Sequence, residues 1–432
     1  METFWLVTAR KDRSGAGHLE SDLGTSSGHL TFSKTYKSKD SRKRQSLIAW
    51  NADVLVRVIK QIVARREPNW ERTQTASQIP AWTGKGGNPL DEVVEVIELP
   101  NQTSSIRGRD PGSVVIDPKI VELVHAYVSD LAEMHPDNHF HNFEHASHVT
   151  MSVTKLLSRI VAPSDMDFTD DVQASAELHD HTYGITSDPL TQFACVLSAL
   201  VHDVDHPGVS NATLVTENDE RMKVYGGKSL AEQNSVDVAW NLLMTEKYRQ
   251  LVRTLCLDES ELCRLRQLVV NSVMATDIMD PDLKKLRNGR WEKAFNNSND
   301  ENQDTSREAI NRKATIVIEH LIQASDVAHT MQHWNVYTKW NTRLFKEMYK
   351  AYLDGRVGAK DPSEFWAKGE IGFFDLYIIP LAKKLKECGV FGVSSDECLQ
   401  YAISNRNEWE EKGEAMTVQI INEVREEYGI SE

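Results

Sequence analysis

No Cys-x-x-Cys pair occurs in this chain, and its five cysteines (Cys195, Cys256, Cys263, Cys388 and Cys398) are an odd number set far apart. That excludes a disulfide framework, points to a reducing compartment and leaves no zinc–thiolate site. There is no apolar run near the roughly 18 residues of a membrane span. The opening Met1-Glu-Thr-Phe-Trp-Leu-Val-Thr-Ala-Arg is too short in apolar residues for a secretory signal. A cytoplasmic location follows, either free or as the cytoplasmic part of a larger membrane receptor. Positive charge is in deficit as well: 49 Lys and Arg face 64 Asp and Glu, a formal net charge of −15. A surface of that sign is repelled by a nucleic-acid backbone. A small anion could still bind where metal cations dominate one site.

Large apolar residues are scarce over residues 11–45, which run SGAGHLESDLGTSSGH and then KTYKSKDSRKR. Residues 1–45 therefore read as a disordered, basic segment. From Ser46 the pattern changes: Leu47, Trp50, Val54, Val58 and Ile62 recur at three- and four-residue steps, an amphipathic helix that Pro68 ends. Residues 67–117 alternate Pro, Gly and polar residues around one apolar–acidic piece, DEVVEVIEL, so 46–117 reads as a helix and a linker with one short ordered element. Beyond Pro118 helical periods continue nearly to the end, as in VELVHAYVSDLAEM, and 118–430 is expected to form one all-α domain.

Histidine is concentrated in two blocks, His139-Phe-His141-Asn-Phe-Glu-His145-Ala-Ser-His148 and His202-Asp-Val-Asp-His206-Pro-Gly-Val-Ser-Asn211. In a helix His141 and His145 would lie one turn apart and face the same way, as would His202 and His206. A third candidate, Asp326, stands in IEHLIQASDVAH, an otherwise apolar stretch. A lone His-Asp dipeptide is common, and a single buried histidine is more often a core residue than a ligand. The ordered set His, His-Asp, Asp reverses that balance, because burying Asp326 uncompensated costs several kcal/mol. Imidazole and carboxylate together suit zinc, magnesium or manganese. Two such ions about 3.5–4 Å apart would polarise a bridging water and clamp a phosphate, which is chemistry for phosphodiester hydrolysis.

HNFEHA followed by HDVDHPGVSN closely resembles the signature of the class I 3',5'-cyclic nucleotide phosphodiesterases, over roughly residues 118–430. The resemblance implies a compact all-α catalytic domain on an HD-type metal core, acting on cAMP or cGMP in signalling. It implies His145, His202, Asp203 and Asp326 as ligands of a tightly held ion, expected to be Zn2+, with Asp203 bridging to Mg2+ or Mn2+. His206, Glu232 and Thr276 would surround the second ion's waters. His141 would protonate the leaving O3′ oxygen. Asn211 matches a structural, pocket-lining asparagine. In Gly369-Glu-Ile-Gly-Phe-Phe-Asp375, Phe373 takes the position that stacks on the purine, with Ile371 or Leu344 on the opposite face. Tyr337, Trp340 and Met348 would line the same pocket.

Four positions depart from the resembled pattern. Phe140 replaces the tyrosine before the His-Asn pair, Asn234 and Ser235 replace paired histidines, and His329 replaces a pocket asparagine. At the position of an invariant, base-reading glutamine stands Glu370. An ionised carboxylate only accepts hydrogen bonds, which fits guanine's two donors better than adenine's donor–acceptor edge. The substrate expectation is therefore tilted toward cGMP. Another HD-type phosphohydrolase, such as a nucleotidase, and a catalytically dead nucleotide sensor are the competing readings. Residues Met1 to Leu6 are similar to the closing strand of class III nucleotide cyclases, which implies a cyclase–phosphodiesterase fusion. A homodimer or a tethered cyclase domain would be the protein partner.

Overall fold

A computed structural model describes residues 28–66, 87–100, 110–160, 181–296 and 306–430. The cyclase-like residues 1–6 lie outside them. The chain divides into Met1–Gln45 and Ser46–Glu432. The helices run α1 Gly28–Ala64, α2 Pro118–Met134, α3 Phe143–Ser158, α4 Pro189–Val201, α5 Asn211–Thr216, α6 Arg221–Tyr225, α7 Leu230–Leu243 and α8 Arg249–Leu255. They continue with α9 Glu259–Met274, α10 Pro281–Trp291, α11 Arg307–Asp326, α12 Trp334–Leu353, α13 Trp366–Phe373, α14 Ile379–Glu387 and α15 Val393–Tyr428. No strand occurs among the described residues, as the helical periodicity leads one to expect.

Helix α1 begins at Gly28, ahead of the apolar stripe, so residues 28–45 are helical where composition indicates disorder. Lys, Arg and Gln are good helix formers, and Ser41 to Ser46 are all exposed, so this stretch needs no burial to be helical. The stripe behaves as its spacing predicts: Val54, Leu55, Val58, Ile59 and Ile62 are buried.

The second unit also takes in the stretch 87–100, which the sequence reading kept apart as linker. Its backbone is held by side chains rather than by a neighbouring strand. The Leu90 N–H donates to Gln233 (3.1 Å), Val94 to Asn271 (3.2 Å), Ile97 to Thr315 (2.9 Å) and Leu99 to Asn311 (3.3 Å). Glu92 accepts a two-pronged bond from Arg266 at 2.8 and 2.9 Å. Amide and hydroxyl groups on α7, α9 and α11 thus satisfy the backbone of the short ordered element that DEVVEVIEL marks, which opens on a tight turn at Pro89–Glu92.

Helix α4 is the centre. Twelve of its thirteen residues, Pro189 to Val201 apart from Gln192, are buried, and a helix apolar nearly all round belongs inside. Asp188 caps it and Pro189 opens it, and α3 and α9 pack on its flanks. Helix α11 packs against both α3 and α4, so the end of α4, the start of α3 and the end of α11 meet. Under α11, the Arg290 guanidinium and the Glu319 carboxylate form a buried pair, and Arg290 also donates to the Val94 carbonyl at 2.9 Å. Glu319→Ala would leave that guanidinium buried without its counter-charge. Such a loss is expected to cost about 3–5 kcal/mol, read as a lowered unfolding midpoint of the full chain. A midpoint equal to wild type would show that Arg290 finds another partner.

Candidate functional site

Asn142, the residue after His141, is extended and caps α3, accepting from the N–H groups of Glu144 (2.9 Å) and His145 (3.1 Å). His145 therefore sits in the first turn of α3, and His141 stands outside the helix. The second block is no helix either. Helix α4 ends at Val201, His202 caps it, and a turn follows in which Asp205 takes φ +58°. The expectation of two same-face helical pairs is thus corrected: a capping asparagine interrupts the first, and the left-handed Asp205 ahead of Pro207 interrupts the second.

What the turns do is regroup the four histidines across the two blocks. His145, His202 and Asp326 bring ligand atoms together, and so do His141, Asp203 and His206. His145 Nε2 lies 3.1 Å from Asp326 Oδ1 and 3.5 Å from Asp203 Oδ2. His202 Nε2 lies 3.1 Å from Asp203 Oδ2 and 3.4 Å from Asp326 Oδ1. Two nitrogens and two oxygens thus face one point, although His202 Nε2 and Asp203 Oδ2 are buried with no hydrogen bond of proper geometry. Those orphaned atoms are what a cation would satisfy, and the donor set of two imidazoles and two carboxylates fits a divalent ion. Burial would push His202 down, yet Asp203 and Asp326 beside it carry it well above its ordinary value. Burial likewise opposes ionisation of Asp203, and the neighbouring imidazoles hold it well below the usual carboxylate range.

His141 is set against Glu347, a residue the sequence reading missed. Its Oε2 accepts from the N–H groups of Phe140 (2.7 Å) and His141 (3.0 Å), and its Oε1 pairs with His141 Nδ1. Against the cost of burial, Glu347 and Asp203 push the His141 imidazole up to about 9. His206 stacks on it at 4.0 Å, and burial with the neighbouring His141 pushes it down to about 3. One ring is cationic and its neighbour neutral. Asn138, also missed, donates to the carbonyls of His141 (3.0 Å) and His206 (2.8 Å) and ties the two blocks together. Gly208, at φ +71°, lies so near that a Cβ there would meet Asn138 Oδ1 at 3.1 Å.

Glu232 and Asn211 join beside Asp203: Asn211 Nδ2 donates to Glu232 Oε2 at 2.9 Å and reaches Asp277 Oδ2 at 3.4 Å. Burial and the Asp277 charge push Glu232 up to about 8. Thr276 instead turns its hydroxyl to the Val273 carbonyl at 2.7 Å, and the adjacent Asp277 is the residue bonded into this cluster. His329 is buried between Phe140 and Trp340, with ring centroids 5.5 and 6.2 Å away. Phe140 itself lies 4.6 Å from the His145 ring, so the phenylalanine keeps the packing that the missing hydroxyl does not need.

Helix α12 connects this centre to a second network. Tyr337 and Trp340 are buried on it, Leu344 and Met348 partly so, and Trp340 lies 5.6 Å from the His145 ring. On α13, Glu370 is buried and accepts from the Tyr337 hydroxyl at 2.6 Å. Asn341, a further missed residue, accepts from Trp366 Nε1 at 3.0 Å and reaches the same hydroxyl at 3.5 Å. Burial pushes Glu370 up to about 7, against the hydrogen bonds from Tyr337 and Asn341. Ile371 and Phe373 are partly buried on α13, and Phe373 stacks on Tyr377 at 5.5 Å. Helical spacing offers a signal for Glu347: 340, 344 and 347 share one face of α12.

The fold and the cage define a helical domain built around a metal-binding centre. The profile of the 3'5'-cyclic nucleotide phosphodiesterases matches residues 140–392, and the chain belongs to that family. It is 26% identical over 267 residues to a probable 3',5'-cyclic-AMP phosphodiesterase, pde-4, of Caenorhabditis elegans, covering 59% of this chain and 35% of that one. It is 25% identical over 264 residues to mouse 3',5'-cyclic-AMP phosphodiesterase 4C, 57% of this chain and 33% of the other. A cGMP-specific 3',5'-cGMP phosphodiesterase 3 of Dictyostelium discoideum is 19% identical over 294 residues, 66% of this chain and 55% of that one. The chain thus spans between a third and about half the length of these relatives. The fold is that of the phosphodiesterase domain of the RhoPDE fusion protein from Salpingoeca rosetta, at TM-score 0.54 and 22% identity, covering 71% of this chain and 86% of that one. Among the described residues no helix is long and apolar enough to cross a membrane.

Adding Zn2+ to the chelator-stripped full chain is expected to raise its unfolding midpoint, by about 2.7 kcal/mol of stabilisation at a hundredfold excess over Kd. Asp326→Ala should lose most of that gain. An unsubstituted chain that Zn2+ does not stabilise would remove the cage.

Proposed function

We propose that this chain hydrolyses the 3',5'-cyclic phosphodiester of a purine cyclic nucleotide to the 5'-monophosphate. The observation that carries the reading is the convergence of His145, His202, Asp203 and Asp326 beside the His141–Glu347 pair. The names of the relatives, which include both cyclic-AMP and cGMP phosphodiesterases, agree with it. Zn2+ suits the His145, His202, Asp203 and Asp326 set, and Asp203, which groups with His141 and His206 while its Oδ2 lies 3.1 Å from His202 Nε2, would share Mg2+ or Mn2+. When bound, such cations neutralise phosphate oxygens and acidify water.

The chain's own residues supply the rest. Glu347 takes the Nδ1 proton side of His141, so Nε2–H is the proton available to the departing O3′ oxygen. Glu347 is itself fixed by two backbone N–H groups, and it holds the ring in one orientation. His206, stacked on His141 and kept neutral, adds no competing positive charge. His141→Ala is expected to lower turnover by about 10²–10⁴-fold while Zn2+ binding survives. Turnover within a few-fold of wild type would remove His141 as the acid.

Glu370 is proposed to read the base. With its carboxyl pushed up to about 7, it is a donor and acceptor below that pH and acceptor-only above it. The protonated form matches adenine's N6 donor and N1 acceptor; the carboxylate matches guanine's N1 and N2 donors. The cGMP-to-cAMP ratio of kcat/KM should therefore rise as pH increases through about 7, with discrimination of about 1–3 kcal/mol at the alkaline end. Glu370→Gln should flatten that dependence. A ratio that ignores pH in the unsubstituted enzyme would exclude Glu370 from base recognition.

A further inference from the structure

The turn between the two members of the His202-to-His206 block is held in a conformation that an L residue resists. Asp205 takes φ +58°, and it follows Asp203 by two residues and precedes His206 by one. Aspartate tolerates the left-handed region better than most side chains, yet the conformation still needs support from its surroundings. That support is specific. Asp205 Oδ2 accepts from Arg221 Nη2 at 3.0 Å and from Asn234 Nδ2 at 2.9 Å. The Asp205 N–H donates to the Met134 carbonyl at 3.2 Å. Arg221 is braced in turn by Asp219, whose two oxygens each lie 3.2 Å from its Nη1. One residue upstream, the Val204 carbonyl accepts from the Ser235 hydroxyl at 2.7 Å. Asn234 and Ser235 are the two positions where the resembled pattern has histidines, so here a short amide and a hydroxyl grip the turn from α7.

We propose that Arg221 and Asn234 are positioning residues that clamp the Asp205 carboxylate, fix the left-handed turn and so aim Asp203 and His206 at the cation site. The inference rests on the reading that this site holds divalent cations. It gives the departure at Asn234 a function: the amide replaces one N–H donor with another, and the ligands behind it stay in place. Neither residue belongs to either group of ligand atoms.

The test uses the full chain with Co2+ as probe, reading its affinity by competition with a chelator and the visible absorption of the bound ion. Arg221→Ala combined with Asn234→Leu is expected to lower Co2+ affinity roughly 10–100-fold, the usual loss for an outer partner of a metal ligand, and to alter the absorption band. The double variant should still unfold cooperatively in excess chelator, so that the lost affinity is read on a folded chain. Asn234→His, which restores an N–H donor, should rescue Asn234→Leu. In an Asp205→Gly background the double substitution should add no further loss, because glycine takes the left-handed form without a clamp. Wild-type affinity and spectrum in the double variant overturn the proposal, and so does an equal loss in the Asp205→Gly background. If the double variant does not fold, the two single variants carry the same comparison. An unsubstituted chain that binds no Co2+ overturns the proposed function itself, and the inference falls with it.

Discussion

Two imidazoles whose nitrogens lie within 3.5 Å of the oxygens of two carboxylates, most of them buried, are an electrostatic problem that hydrogen bonding among themselves does not solve. His202 Nε2 and Asp203 Oδ2 remain without proper partners, and burying polar atoms in that state costs free energy that something must return. A divalent cation held there, as proposed, would return it. The architecture around the four groups makes sense as a frame for holding this unfavourable arrangement in readiness. The almost wholly buried α4 delivers His202 and Asp203 at its end, an asparagine cap sets His145 into α3, and Asp326 is the last residue of α11. All three helices pack on one another, so the ligands are fixed by the core rather than by loops.

Helix α12 extends that frame outward. Along one helix, Tyr337 meets Glu370, Trp340 packs beside His145, and Glu347 orients His141. A single helix thus touches the residues proposed to read the base, to ligate the cation and to deliver the proton. Two pairs along it share one logic, each setting a titratable group against a partner on another element. Burial pushes Glu370 up to about 7, and the Tyr337 hydroxyl only partly offsets that. Glu347, by contrast, is held low at about 2 because the His141 cation and two N–H groups outweigh its burial. Two buried carboxyls on neighbouring helices are therefore pushed in opposite directions by what stands beside them.

Much of this was legible in the sequence, and what was not has a physical reason. The ligand types and their order along the chain are local spellings, so His145, His202, Asp203 and Asp326 could be picked out, and helical periodicity revealed an all-α domain and the buried stripe of α1. Glu347 and Asn138 could not be picked out in the same way, because their roles come from backbone N–H and carbonyl groups that only the fold brings near. The stretch 87–100 was legible as one short ordered piece, but what orders it was not: its partners Gln233, Asn271, Thr315 and Asn311 lie on three distant helices. Helical geometry misled at both histidine blocks. Spacing of four residues favours one face only where the backbone is helical, and a cap at Asn142 and a left-handed Asp205 make it otherwise.

The departures from the resembled pattern divide along the same physical line. Phe140 keeps an aromatic ring against His145, and Asn234 and Ser235 keep donors aimed at the turn they grip, so these substitutions conserve what the neighbours require. His329 is kept neutral by burial and by the nearby His145 and His148, and it fills its place as an aromatic surface rather than as a charge. Glu370 is different in kind. It conserves the shape of a glutamine and changes what the group can offer, since a carboxyl alternates between donor and acceptor where an amide presents both at once. Asn234 and Ser235 thus retain donors around the turn that carries Asp203, whereas Glu370 changes what its position can offer. On the proposed reading, a chain that had lost its chemistry would have no reason to keep those donors, and the replacements would leave the cation frame in place while altering base recognition.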